Sequence, residues 1–138
     1  MLIAIIVIIA ILIAIIYNMT ENFTQSKETK LSDATISDYP NVLEQVTKNG
    51  LALRYVSQEF LDALKKSDKT KYSTLLYNAV TNNGLALQYV NLSPTTKEYF
   101  YIAFLAINTN ASAIKLVPTS AINYNDLLVF SRQIKHSM

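Results

Sequence analysis

The alternation of apolar and polar positions divides the chain into three stretches. Residues 1–16, MLIAIIVIIAILIAII, hold no charge, hydroxyl, amide, glycine or proline. A helix apolar on every side has no solvent face, so the run does not read as an amphipathic helix of a soluble core. As a helix ending at Tyr17 it is about 25 Å long, at the short end of what crosses a hydrocarbon layer about 30 Å thick. A transmembrane anchor is therefore expected over residues 1–17. Residues 18–38 are polar, with Phe23, Leu31 and Ile36 isolated and no sustained period. They read as a stalk or linker, or, at Leu31 and Ile36, as a strap packed onto the C-terminal domain. From 39 to 138 apolar residues return at helical spacing. Tyr72, Leu75, Leu76, Ala79 and Val80 fall at i, i+3, i+4, i+7 and i+8, a buried stripe on one helix face. QEFLDALKK (58–66) places Phe60, Leu61 and Leu64 on one side of an extra helix, and YFYIAFLAI (99–107), too short to span, is assigned to the core.

The third stretch repeats itself. VTKNGLALRYV (46–56) and VTNNGLALQYV (80–90) share nine of eleven positions at an offset of 34 residues. A degenerate copy, INTNASAIKLV (107–117), comes next at an offset of 27, with Ala111 where Gly50 and Gly84 stood, and YNDLLVFSRQI (124–134) starts a fourth unit. Each unit reads as a helix, a turn at Asn-Gly and a short second helix, with Gly84 supplying a left-handed turn. The period-2 apolar positions of LALRYV and LALQYV also suit a strand, but six residues between a helix and a turn favour helix. Pro40 and Pro94 mark first helical positions, Ser93 caps the helix at Pro94, Pro118 stops the preceding segment and Ser120 caps the last helix. A single unit cannot bury its apolar face, so neighbours must stack. The expected fold is all-α: an N-terminal transmembrane helix followed by a small solenoid-like stack of helical hairpin repeats over 39–138, the last unit acting as a cap.

At NGLALRYV and NGLALQYV the chain resembles a family of uncharacterised helical repeats built of units reading roughly A-V-x-x-N-G-x-A-L-x-Y-A, common in giant viruses of protists and in amoeba-associated bacteria. The resemblance covers residues 40–117, strongly in two copies. It implies the repeat fold and a plausible source, and carries over no enzymatic role, catalytic residue or cofactor. An Ile-, Asn-, Lys- and Tyr-rich composition is similar to that of proteins from AT-rich viral genomes.

Two other readings of the N-terminal run compete with the anchor. A cleaved signal peptide needs a basic flank ahead of the apolar stretch and a small-x-small site after it, and neither is present. A filament stem, as in pilin-like subunits, would pack the apolar helix in a fibre core. Against it, Ile5 stands where those stems carry a glutamate, and no leader precedes Met1. Lys27 and Lys30, both beyond the run, favour the domain on the cytoplasmic side of a membrane. The sequons at Asn18, Asn22, Asn91 and Asn110 are read as chance in an Asn-rich chain. Ala10 and Ala14 form a small-xxx-small pair, read as lipid-facing filler.

Charge adds little. Twelve basic and ten acidic residues leave neither a nucleic-acid surface nor an acidic tail, and without cysteine there is no disulfide framework or thiolate site. The only histidine, His136, lies near the C-terminus, so nucleophile-base pairs are not assembled and metal sites of several His or Cys are excluded. With Gly50 and Gly84 the only glycines, no phosphate-binding Gly-rich loop exists. Glu59 and Asp62 share a helix face and are read as partners of Lys65 and Lys66. The cluster Lys65, Lys66, Lys69 and Lys71, with Asp68 inside it, could meet phosphates but reads as a solvated loop. Tyr55, Tyr72, Tyr77 and Tyr89 occupy repeat positions and read as packing residues. No catalytic, cofactor-binding or metal-ligating residue is identified, no cofactor, small-molecule substrate or nucleic acid is expected, and the chain does not read as an enzyme. The expected function is a membrane-anchored structural or interaction protein, its repeat domain binding a protein partner such as a capsid protein in the virion of a large DNA virus. Residues 1–17 would then lie in the virion's internal membrane.

Overall fold

The computed structural model describes residues 1, 8–17 and 31–137. Residues 8–17 form helix α1. After the undescribed residues 18–30 the chain runs through η1 (Ile36–Asp38), α2 (Tyr39–Lys48), η2 (Gly50–Tyr55), α3 (Gln58–Ser67), α4 (Lys69–Asn82), η3 (Gly84–Tyr89), α5 (Lys97–Thr109), η4 (Ala111–Leu116) and α6 (Tyr124–Ser137), η denoting a 3-10 helix. All regular structure among the described residues is helical, as the apolar spacing predicted.

The transmembrane anchor is not upheld. Among the described residues no helix is long and apolar enough to cross a membrane. The ten residues of α1 rise about 15 Å, half the thickness of a hydrocarbon core. The remainder of the proposed span, residues 2–7, lies outside the described residues, as do Lys27 and Lys30, on which the membrane side was argued. The single-pass localisation, and the virion membrane placed around it, fall with the span. Of the two strap candidates, Leu31 is 2% exposed and joins the core, whereas Ile36 is 43% exposed. Most of the stalk, residues 18–30, lies outside the described residues.

Successive units stack in two layers. Helices α2, α4, α5 and α6 pack each on the next, and η2, η3 and η4 pack each on the next alongside them, with α3 laid against α4 and η1. The core runs through the interface between the layers, from Val42 and Val46 through Leu75, Leu76 and Val80 to Ile102, Ile107 and Leu127.

Each unit turns the corner the same way. The amide N–H of Asn49, Asn83 and Asn110 closes the last turn of the preceding helix at Gln45, Ala79 and Ala106. The same residues then take an extended conformation, φ −144 to −148°. Their side-chain oxygens accept from the N–H of Leu51, Leu85 and Ser112, capping the 3-10 helix on the far side of the corner. A six-residue 3-10 helix is long for its kind. In a 3-10 helix residues three apart eclipse, so Gly50 with Leu53 and Gly84 with Leu87 form the buried edge. Ala52 and Ala86 are buried with them, and in the third unit Ala111 and Ala113 are buried, so residues two and three apart share the inner side.

The glycines serve close approach, and the left-handed turn assigned to Gly84 is not present. Neither glycine has a positive φ. A Cβ on Gly50 would lie 2.1 Å from the carbonyl oxygen of Ala79, and one on Gly84 would lie 2.2 Å from that of Ala106. Each glycine thus lets the next unit's helix carbonyl sit against the backbone of its own turn. Asn82 locks the first of these contacts: its Oδ1 accepts from Gly50 N at 2.7 Å, and its Nδ2 donates to the Thr47 and Lys48 carbonyls at 3.0 and 3.4 Å. In the next unit Thr109 takes the position of Asn82, and its Oγ1 donates to the Thr81 carbonyl at 3.5 Å. At the start of η4 the glycine is replaced by Ala111. Aligning buried Tyr99 with Leu127 and Ala103 with Ser131 places Ile134, half-buried against the core, where Ala106 stood.

Two predicted helix starts move. Ser93 and Pro94 belong to a turn closed by Thr96 N–H on the Ser93 carbonyl, and α5 begins at Lys97, with Thr96 Oγ1 accepting from Tyr99 N. Ser120 lies in a turn, and α6 begins at Tyr124 after Asn123, whose φ is 55°. Pro40 does sit in the first turn of α2.

Candidate interaction surface

The residues singled out for possible chemistry are largely tied up within the fold. Of the lysine cluster, Lys65 lies over the Tyr72 ring at 5.5 Å, and Lys71 lies over Tyr39 at 5.6 Å while pairing with Asp68 at 3.5 Å. Lys69 pairs with Glu98 at 3.9 Å. These cations point to different neighbours, so they do not converge on a shared phosphate position. Asp68 also caps α4, accepting from Lys71 N, and that bond is the main reason its carboxyl is held below the ordinary carboxylate range. Asp62 accepts from Gln58 at 2.9 Å, and no ion pair joins Glu59 or Asp62 to Lys65 or Lys66 among the described residues.

The tyrosines separate by depth. Tyr72 is fully buried, and its hydroxyl donates to the Asn91 carbonyl at 3.3 Å. Burial, then the Glu98 and Asp62 carboxylates, pushes its phenol up to about 12. Tyr99 is raised by burial, and Tyr39 by burial and then by Asp68. Tyr55, Tyr77 and Tyr89 are half-buried against the core. No group of three or more His, Asp or Glu side chains gathers as a metal site among the described residues, and His136 is exposed.

Two outward-facing surfaces are apolar. Along α1 the large side chains from Ile8 to Tyr17 are 48–63% exposed, and Ala10 and Ala14 are exposed as well. A second apolar surface lies on α5 and α6. Tyr99, Ile102, Ala103, Ala106 and Ile107 enter the core as expected, but Tyr101 is 57% exposed and Phe104 is also exposed. Phe104 stacks on Phe130 of α6 with ring centroids 4.3 Å apart, and Val129 beside it is 52% exposed. The assignment of YFYIAFLAI to the core therefore holds for one face of α5 only. The sequence carries a contrary signal: an α-helix that packs through one stripe has no use for aromatics at both Tyr101 and Tyr99.

No family model, curated protein or solved structure matches this chain.

Proposed function

We propose that the chain is a structural subunit that assembles with copies of itself through the apolar N-terminal helix and displays the repeat domain for contact with other proteins. The observation that carries this reading is α1: apolar on every side, exposed on every side and, over its described residues, not long enough to cross a membrane.

The energetics favour several neighbours over one. Eight large side chains with roughly 100 Å² each still in water amount to about 20 kcal/mol at 25 cal/mol per Å² when fully covered. A single partner helix covers about a third of that, roughly 7 kcal/mol, comparable with the 4–15 kcal/mol that association costs. A bundle that surrounds the helix clears that threshold. The exposed aromatics of α5 and α6 stay outside such a bundle, because they belong to the repeat domain.

The test is sedimentation velocity and negative-stain microscopy of the full chain in detergent-free buffer. Ordered oligomers or fibres are expected. Successive helical residues lie 100° apart, so Ile11→Glu, Leu12→Glu and Ile13→Glu place a charge on three different sides, and each alone should release monomers. Sensitivity at one position alone, or wild-type monomers floating with phosphatidylcholine vesicles, would overturn the proposal.

A further inference from the structure

We propose that Asn83 is a site of self-modification, losing its carboxamide through a succinimide formed with the backbone nitrogen of Gly84, while the same step at Asn49 and Gly50 is blocked by Asn82. In this reaction the glycine amide gives up its proton, its nitrogen bonds to the asparagine Cγ, and ammonia leaves. Water then opens the ring at either carbonyl, giving aspartate or isoaspartate. Glycine suits the step because no Cβ crowds the attacking nitrogen. Both corners read NGLAL, at residues 49–53 and 83–87, so the residues following each asparagine give the two sites the same intrinsic reactivity.

The corners share their geometry as well. Asn49 has φ −144° and ψ 100°, and Asn83 has φ −146° and ψ 109°. Each side-chain oxygen is held by the amide two residues on, 3.1 Å from Leu51 N and 3.0 Å from Leu85 N, so each carboxamide must break the same bond to turn toward its glycine. Gly50 and Gly84 are both buried. One contact separates the two sites. The Gly50 N–H donates to Asn82 Oδ1 at 2.7 Å, and Asn82 is itself fixed to the Thr47 and Lys48 carbonyls. An amide oxygen is not a base, so this bond shields the proton that must leave before the nitrogen can attack. At the second corner Thr109 stands in the place of Asn82, and its hydroxyl donates to the Thr81 and Leu105 carbonyls. No acceptor holds the Gly84 N–H among the described residues.

Solvent access ranks the corners the other way, since Asn49 is exposed and Asn83 is half-buried. The order of the two rates therefore distinguishes control by the hydrogen bond from control by exposure. The third corner is an internal control: Ala111 follows Asn110, and its methyl group crowds the attacking nitrogen. The product has a structural consequence. Isoaspartate at position 83 inserts the side-chain methylene into the main chain of a corner where even a Cβ on Gly84 would lie 2.2 Å from the Ala106 carbonyl oxygen. Modification thus parts η3 from α5 and loosens the stack between the second and third units.

The experiment ages the full chain in mildly alkaline buffer, digests it with trypsin and maps the peptides by mass spectrometry, with electron-transfer fragmentation to separate aspartate from isoaspartate. Asn83 should deamidate about fivefold or more faster than Asn49, the ratio that one ordinary hydrogen bond supports, and Asn110 should be slowest. In the urea-unfolded chain Asn49 and Asn83 should react alike. T109N supplies the missing acceptor and should slow Asn83, and N82A should bring Asn49 up to the rate of Asn83. Because N82A also loosens the domain, T109N is decisive, with Asn49 of the same molecule as its reference. Equal rates at the two corners of the folded chain, a faster Asn49, or a ratio that T109N leaves unchanged overturns the inference. So does a ratio that persists in urea, or an Asn83 that stays intact in the folded chain while the unfolded chain reacts. The variants leave α1 untouched, so this result and the bundle test can fail separately.

Discussion

Gly50→Ala opposes two physical effects of different size. Gly50 has no positive φ, so alanine fits its backbone conformation, and restricting the unfolded chain should stabilise by about 0.4–1 kcal/mol. Against this, the added Cβ would lie 2.1 Å from the Ala79 carbonyl oxygen, 3.0 Å from Asn83 N and 3.1 Å from Ala79 C. An ordinary carbon-to-oxygen contact is about 3.3 Å or more, so η2 and α4 must separate by roughly 1 Å. All three obstructing atoms are backbone, so no side chain can rotate away. Overpacking of this kind costs about 1–3 kcal/mol. Separation also stretches the 2.7 Å bond from Gly50 N to Asn82 Oδ1, and leaving a part-buried donor unsatisfied costs about 1–3 kcal/mol more. The net expectation is a loss of about 2–5 kcal/mol, a large share of the 5–15 kcal/mol typical of a domain. Urea unfolding of the full chain, monitored by circular dichroism at 222 nm, should show the midpoint falling by about 1 M or more. Gly84→Ala should behave alike, whereas Ala111→Gly should cost only about 0.5–1 kcal/mol. An unchanged or raised midpoint for Gly50→Ala would refute the close-approach argument.

Other substitutions separate the remaining contacts by size. Asn82→Ala removes the contacts to Gly50, Thr47 and Lys48 and should destabilise by about 1–3 kcal/mol, with faster hydrogen exchange at the Gly50 amide. Thr109→Ala, losing a 3.5 Å contact to Thr81 and the bond back to Leu105, should cost no more than about 1 kcal/mol in the same urea titration. The Tyr72 phenol is raised from 10 to about 12, so the stability gained by keeping it neutral is complete below pH 10 and lost as pH rises through 12. Unfolding midpoints measured from pH 9 to 12 should therefore fall steeply, and Tyr72→Phe should flatten that fall. Leu31→Ala should cost about 2–5 kcal/mol because Leu31 sits in the core, whereas Ile36→Ala should stay within about 0.5 kcal/mol, both read by thermal unfolding.

The chain's own pattern was enough to establish an all-helical domain, the repeat period and the buried stripes, because periodic apolar spacing records which side of an element faces water. Tyr72, Leu75, Leu76, Ala79 and Val80 stand out by spacing alone, and all are buried. The three asparagines also announce the corners, since their side chains act on residues two positions away. The role of Gly50 was not legible, because it depends on a carbonyl 29 residues further on, at Ala79, and nothing local distinguishes that need from a left-handed turn. The same limit hid the 3-10 form of the return segments, which stack one on the next, and the exposure of Tyr101 and Phe104, which depends on how much of α5 its neighbour α6 covers. Residues 1–16 read as apolar on all sides from sequence, and α1 is exposed on all sides in the fold. Sequence thus determined that this helix needs an apolar environment. Only the tertiary structure showed that the described chain does not provide one, because none of its own surface covers α1.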